Sequence, residues 1–311
     1  MYIVLSGFWY HFLLKRMVLL GRIVFRIWTI TMFHFIMTIV DHFDGSCLSM
    51  KNANKDALIF LPLAANGKPQ HLGSEKAGCP FCEYAEEENI LRSEQNMFWV
   101  RNKYQTLQDT FQTIIIESDD HNGDITTYSK EDNRRLFHFA FDCWEQMKND
   151  PQFESVLFYK NHGPLSGGSL KHPHMQIVGL TEFDGESQID AENFAGITVL
   201  SENSVTINFS TKPVMGFLEI NILVDKKAPE AINDLADYVK KTVNYILNNY
   251  HHGRCESYNF FLFEEEGKYI VKLTPRFIVS PYFVGYRLSQ NFSEEHLLVL
   301  RDDFRENLLG E

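Results

Sequence analysis

Apolar and polar positions after the first fifty residues predict a regular succession of strands and helices. Residues 111–118 are apolar and β-branched, which is typical of a buried strand. Ser129 followed by Asp132 forms a helix-capping pattern, and apolar residues then recur at helical spacing to about Asn149. A Gly- and Ser-rich loop separates the next two predicted strands, at residues 155–161 and 172–180.

A second block repeats this pattern. Residues 196–210 predict a hairpin that turns at residues 202–204. From Ile232 to Tyr250, apolar residues step by three or four positions, which predicts an amphipathic helix. Three strands are predicted next, at residues 258–264, 268–273 and 276–284, followed by a final helix that Ser293 caps and that ends near Leu309.

Strand-rich segments with one long helix in each block predict an α+β fold. We expect two related tandem units, each an antiparallel sheet with a long helix. The acidic stretch before the hairpin marks the boundary, so the units span residues 50–193 and 194–311.

Residues 1–49 differ from the rest of the chain. They contain no acidic residue before Asp41, and their two apolar stretches, 1–14 and 27–40, are shorter than the roughly 20 residues that span a bilayer. Three interpretations stay open. In the first, the segment is a start-site artefact or a dispensable extension, and Met50 is the true start. In the second it is a membrane-associating tail, and in the third it is a helix packed on the fold.

Composition and charge narrow the function. The chain has 311 residues and a formal net charge of −12, which argues against a general nucleic-acid binder because phosphate neutralisation needs a basic surface. A hydrophobic fraction of 44% excludes a disordered chain. Five cysteines in this length do not make a disulfide scaffold, so we expect a reducing, cytoplasmic location with thiols free for metal.

The sequence HPHMQ is the most informative stretch. On a strand, alternate side chains share a face, so His172, His174 and Gln176 are expected to point the same way. The Gly- and Ser-rich loop at residues 163–169 offers backbone N–H groups to a phosphate. An imidazole beside such a loop suggests nucleophilic attack on phosphorus.

The sequence CPFC is a second candidate site. Cys79 and Cys82 offer two thiolates to a zinc ion, which needs two more ligands. A redox pair is the weaker interpretation because no apolar strand precedes the motif. The histidines that could complete the site are His121 and His172 first, and then His71, His138 and His162.

Taken together, these motifs resemble the galactose-1-phosphate uridylyltransferase family of the histidine-triad superfamily, as a compact bacterial-type relative. In that family one zinc ion is bound by positions that match Cys79, Cys82, His121 and His172. The resemblance implies a structural zinc and assigns the nucleophile to His174. Gln176 occupies the third triad position, where transferases and phosphorylases carry Gln and hydrolases tend to carry His. The family's second His-x-His metal site has no counterpart in residues 273–286, so no second metal is expected.

The implied reaction is nucleotidyl transfer between phosphorylated substrates through a nucleotidyl-histidine. Gln176 and the backbone N–H groups of Gly168 and Ser169 are expected to stabilise phosphate oxygens, and Asn161 to contact the nucleotide phosphates. The substrates would be a nucleotide sugar or dinucleotide and a phosphorylated acceptor, with no nucleic acid.

Two alternatives stay open. One is a dinucleoside polyphosphate phosphorylase or hydrolase that uses the same histidine. The other is a non-catalytic nucleotide-binding zinc protein. A homodimer is compatible with the sequence, which does not determine the oligomeric state, the base or the sugar.

Overall fold

The computed structural model describes residues 57–66, 78–82, 84 and 87–309. The account below concerns the unit Leu58–Glu311. The N-terminal segment, the proposed start at Met50 and His71 lie outside the described residues.

Twelve strands occur in the part of the chain that the structure describes. They are β1 (Ile90–Glu94), β2 (Met97–Arg101), β3 (Thr110–Ile116), β4 (Ser155–His162), β5 (His174–Leu180), β6 (Gly196–Glu202), β7 (Val205–Ser210), β8 (Gly216–Phe217), β9 (Ile220–Asp225), β10 (Tyr258–Glu265), β11 (Lys268–Pro275) and β12 (Gln290–Asn291). The helices are α1 (Pro62–Ala65), α2 (Lys130–Lys148), α3 (Ala231–Asn248), α4 (Pro281–Tyr286) and α5 (Glu294–Leu309).

Ten strands form one antiparallel sheet with the order β1-β2-β3-β5-β4-β10-β11-β9-β7-β6. Read outward from the centre, each half has the same order, with α2 between β3 and β4 and α3 between β9 and β10. The halves join where β4 pairs with β10, with Lys160 opposite Phe260. The predicted α+β fold of two related antiparallel units is therefore confirmed.

The predicted long helices form where local signals place them. Ser129 caps α2, and its side chain accepts a hydrogen bond from the Asp132 N–H. α2 buries Leu136, Ala140, Cys143 and Met147, which belong to the same core as Val239 and Val243 of α3. The core side chains of the central strands, such as Phe158 and Phe260, pack against Phe141 and Phe137 of α2. The opposite face of these strands is left for the candidate site.

Two expectations about local structure need correction. Residues 276–284 do not form a strand, because Ser280 caps the short helix α4 and Pro281 occupies its first turn, where a missing N–H costs nothing. The β1–β2 hairpin was not predicted. The strand expected to begin at residue 172 begins at His174.

No helix among the described residues is long and apolar enough to cross a membrane.

Candidate active site and metal centre

Four thiol and imidazole side chains meet at one end of the first half. Cys79, Cys82, His121 and His172 place their ligand atoms within 4.8 Å of one another. Cys82 Sγ lies 3.3 Å from His121 Nδ1 and 3.5 Å from His172 Nδ1. Tetrahedral zinc with its usual bond lengths separates sulfur and nitrogen ligands by about 3.5 Å. The cluster therefore fits one tetrahedral cation in both donor chemistry and spacing.

The orientation of His172 suits a metal ligand. Its Nε2 lies 2.8 Å from the carbonyl oxygen of Ser118, so Nε2 carries the hydrogen and the Nδ1 lone pair faces the cysteines. Burial lowers the pKa of His172 and favours the neutral ring.

His174 has the complementary arrangement. Its Nδ1 lies 2.8 Å from the carbonyl oxygen of His172, which accepts the Nδ1 hydrogen and leaves a lone pair on Nε2. His174 is buried, and the Phe81 ring packs edge-on against both His172 and His174, at 5.8 and 5.6 Å between centroids. The Cys/His cluster and the His174 imidazole are thus held in a fixed relation by the His172-Pro173-His174 link and by Phe81.

Amide side chains lie on the same face of the sheet as His174. Gln176 follows His174 by two residues on β5 and pairs across the sheet with Tyr159 of β4. The Tyr159 hydroxyl donates to Gln176 Oε1 at 3.0 Å. Asn161 lies two residues after Tyr159 and pairs with Asn259 of β10, whose Nδ2 donates to Asn161 Oδ1 at 2.5 Å.

The Gly- and Ser-rich loop packs beside these amides. Gly163 has a left-handed φ of +83°, and a Cβ there would collide with the Glu256 carbonyl, so only Gly fits. Gly168 lies against the Asn161 side chain, and its N–H is 3.3 Å from Ser166 Oγ. Ser169 is half-buried at the end of the loop. Of the two predicted loop residues, Gly168 therefore adjoins Asn161.

A network of buried charged residues lies at the two ends of the loop that carries His121. The sequence analysis did not predict it. Lys160 and Glu117 form an ion pair with both side chains almost fully buried, and Lys160 Nζ lies 3.8 Å from Asp124 Oδ1. His162 Nδ1 and the Tyr258 hydroxyl reach the same Asp124 oxygen at 3.1 and 2.9 Å. Glu117 and Asp124 flank the loop that carries His121. The only signal in the sequence was charge at core-facing positions of apolar strands.

The environment shifts these carboxyl groups in opposite directions. Burial raises the pKa of Glu117 despite the nearby Lys160 ammonium. Burial also tends to raise the pKa of Asp124, but the His162 hydrogen bond and the Lys160 charge outweigh it, and the pKa of Asp124 is lowered.

Among the described residues, the other candidate histidines, His138 and His162, do not join the Cys/His cluster. His138 lies exposed on α2, with its Nε2 3.0 Å from Asn233 Oδ1. His162 contacts Asp124 and stacks on Tyr258 at 4.9 Å. A cavity of about 670 Å³ lies among aromatic residues of the second half, but no residue of the metal cluster and neither His174 nor Gln176 lines it.

Family comparison identifies both halves. Residues 60–183 match the N-terminal domain, and residues 186–307 the C-terminal domain, of a domain of unknown function, DUF4931. The chain belongs to the DUF4931 family. A crystal structure of a DUF4931 protein from Bacillus cereus ATCC 10987 is 39% identical, with a TM-score of 0.64 over 71% of this chain and 99% of that chain. Among the curated proteins, no sequence matches.

More distant structures share the DUF4931 fold. A uridylyltransferase is 14% identical, with a TM-score of 0.59 over 76% of this chain and 94% of that chain. An ADP-glucose phosphorylase from Arabidopsis thaliana with bound ADP-glucose is 15% identical, with a TM-score of 0.55 over 79% and 98%. The resemblance to the uridylyltransferase family is thereby confirmed for the fold.

Proposed function

We propose that this DUF4931 chain is a nucleotidyltransferase that works by double displacement through a nucleotidyl-His174 intermediate. The observation that carries the proposal is the hydrogen bond from His174 Nδ1 to the His172 carbonyl, because it leaves an unprotonated Nε2 as nucleophile. The shared fold of a uridylyltransferase and an ADP-glucose phosphorylase supports it, since both names describe chemistry at a nucleoside diphosphate.

In the first step, the Nε2 lone pair of His174 attacks the α-phosphorus of a nucleotide sugar or dinucleotide. A nitrogen–phosphorus bond forms, the bridging phosphorus–oxygen bond breaks, and its electron pair leaves on a phosphate ester. The imidazole gains positive charge, while the hydrogen stays on Nδ1 and is still donated to the His172 carbonyl oxygen. A phosphate leaving group needs no proton, which suits a Gln at position 176 because an amide cannot relay one.

In the second step, a phosphate oxygen of the acceptor attacks the same phosphorus, and the bond to His174 breaks. The acceptor decides between transfer to a sugar phosphate and phosphorolysis. Gln176, Asn161 and the backbone N–H groups near Gly168 and Ser169 would bind the nonbridging oxygens and their developing charge.

Product analysis tests this proposal. The purified protein is incubated with UDP-glucose, ADP-glucose or diadenosine tetraphosphate, together with galactose 1-phosphate or inorganic phosphate. We expect a new nucleotide product with at least one donor–acceptor pair. Nucleotide binding without turnover for every pair would favour a binding protein, and turnover with water alone would favour a hydrolase.

We also propose that Cys79, Cys82, His121 and His172 bind one structural zinc ion per chain. All four donors come from the protein, so no position is left for a catalytic water. When bound, zinc supplies rigidity: it fixes His172, whose carbonyl orients His174.

Zinc content tests the metal site. We expect one zinc per chain by elemental analysis, and we expect Cys82→Ser to weaken zinc binding by at least about 100-fold in a chelator competition because a thiolate ligand is lost. Cys143→Ala is the matched control, since Cys143 is buried in α2 away from the cluster. Full zinc affinity in Cys82→Ser would overturn the assignment.

A further inference from the structure

The two amides beside His174 have ends of opposite electrostatic character. A primary amide carries an acceptor oxygen and a donor NH₂ group, and only the NH₂ end attracts an anionic phosphate. Whether Gln176 and Asn161 favour or oppose phosphate binding therefore depends on which groups hydrogen-bond to their amide oxygens.

For Gln176, the partner is the Tyr159 hydroxyl, which donates to Oε1 at 3.0 Å from the directly paired position on β4. Burial raises the pKa of Tyr159 to about 12, so the hydroxyl keeps its hydrogen near neutral pH. With Oε1 held, the Nε2 hydrogens of Gln176 remain for the site.

For Asn161, the partner is Asn259 of the second half. Asn259 Nδ2 lies 3.0 Å from the Ser166 carbonyl oxygen, which can only accept, so the orientation of the Asn259 amide is determined. The same Nδ2 then requires an oxygen from Asn161, at 2.5 Å. Asn259 is buried, and its own Oδ1 has no hydrogen-bond partner among the described residues.

Asn259 also connects the second half to the Gly- and Ser-rich loop of the first half. Its bond to Ser166 anchors that loop, as does the bond from the Leu165 N–H to Ser257 Oγ at 3.1 Å. The second half, which carries no counterpart of the HPHMQ nucleophile, thus supplies support to the site in the first.

We propose that Tyr159 and Asn259 are positioning residues that hold the carbonyl oxygens of Gln176 and Asn161, so that both amides present N–H donors to the phosphate of a bound nucleotide. This inference rests on the proposed function. It assigns to the second half a part in substrate orientation that acts through Asn161.

A double-mutant cycle tests the Tyr159 arm. We expect Tyr159→Phe, which keeps the ring and removes the hydroxyl, to slow nucleotidylation of His174 by about 10- to 100-fold. This is less than the roughly 100- to 1,000-fold loss on removal of a donor itself, because Gln176 stays and only its orientation is released. In a Gln176→Ala background the same change should cost no more than about twofold, because the group it orients is gone. Tyr238→Phe on α3, whose hydroxyl lies 3.5 Å from Glu202, is the control.

A second double-mutant cycle combines Asn259→Ala with Asn161→Ala. We expect Asn259→Ala alone to slow nucleotidylation of His174, and to cost no more than about twofold in the Asn161→Ala background. Retained zinc content and circular dichroism verify that each variant is folded. A wild-type rate in Tyr159→Phe and Asn259→Ala would overturn the inference, and so would losses that simply add in the double variants.

The failure of this inference is distinguishable from failure of the proposed function. For the variants of both cycles, the dissociation constants of ADP-glucose and UDP-glucose are also measured by calorimetry. Coupled losses of binding without any adduct would contradict the transferase and support the positioning role. A nucleotidyl adduct together with uncoupled losses would support the transferase and contradict the positioning role. The absence of both adduct and nucleotide binding would overturn both proposals.

Discussion

Replacing His174 with Gly is expected to lower turnover by at least about 10⁴-fold while the chain keeps one zinc ion. The nucleophile is lost, whereas the thiolates and imidazoles of the metal cluster are untouched. Steady-state kinetics with the best donor–acceptor pair and elemental analysis of the same sample measure the two effects. His138→Ala, at an exposed position of α2, should change neither.

Substitution of His172 should have a different effect from substitution of His174. His172→Ala should lose both zinc and turnover. The variant removes a ring nitrogen from the cluster, and the backbone carbonyl of residue 172, which orients His174, is then no longer held through the metal. Turnover within tenfold of wild type in His174→Gly would contradict the covalent mechanism. Loss of zinc in His174→Gly would instead show that this residue belongs to the metal site.

Replacing Lys160 with Met is expected to destabilise the fold by about 3–5 kcal/mol. The change leaves the Glu117 carboxylate buried without its cation, and breaking a buried ion pair from one side carries this cost. The free energy of unfolding in urea measures it. Lys212→Met removes a cation from an exposed ion pair with Glu192 and should cost less than about 1 kcal/mol.

Removing both buried charges separates pairing from packing. Lys160→Met with Glu117→Leu should recover much of the lost stability, because two apolar side chains can replace a buried pair of similar volume. A single Lys160→Met variant within about 1 kcal/mol of wild type would show that Glu117 is neutral or solvated.

The sequence predicted those parts of the molecule whose determinants are local. The capping pattern at Ser129, the turn at residues 202–204 and the β-branched run of β3 depend on neighbours along the chain, and the structure has them as expected. The H-x-H-x-Q alternation places His174 and Gln176 on one face for the same reason.

Other features depend on contacts between distant residues. Lys160 meets Glu117 across 43 positions, and Asn259 meets Asn161 across 98. Nothing in the local pattern around β4 or β10 indicates that they pair, yet that pairing makes the sheet continuous and brings Asn259 to the site. The short helix α4 was missed because its apolar residues suggested a strand, while Pro281 favours a helix start.

The central claim is that His174 carries the nucleotide during the reaction. The most direct test is intact-mass spectrometry of the wild-type chain after brief incubation with UDP-glucose, ADP-glucose or diadenosine tetraphosphate, followed by peptide mapping. The account predicts an acid-labile nucleotidyl adduct on His174 that disappears when acceptor is added and is absent from His174→Gly. Turnover by the wild type without such an adduct, or an adduct on a different residue, would contradict it.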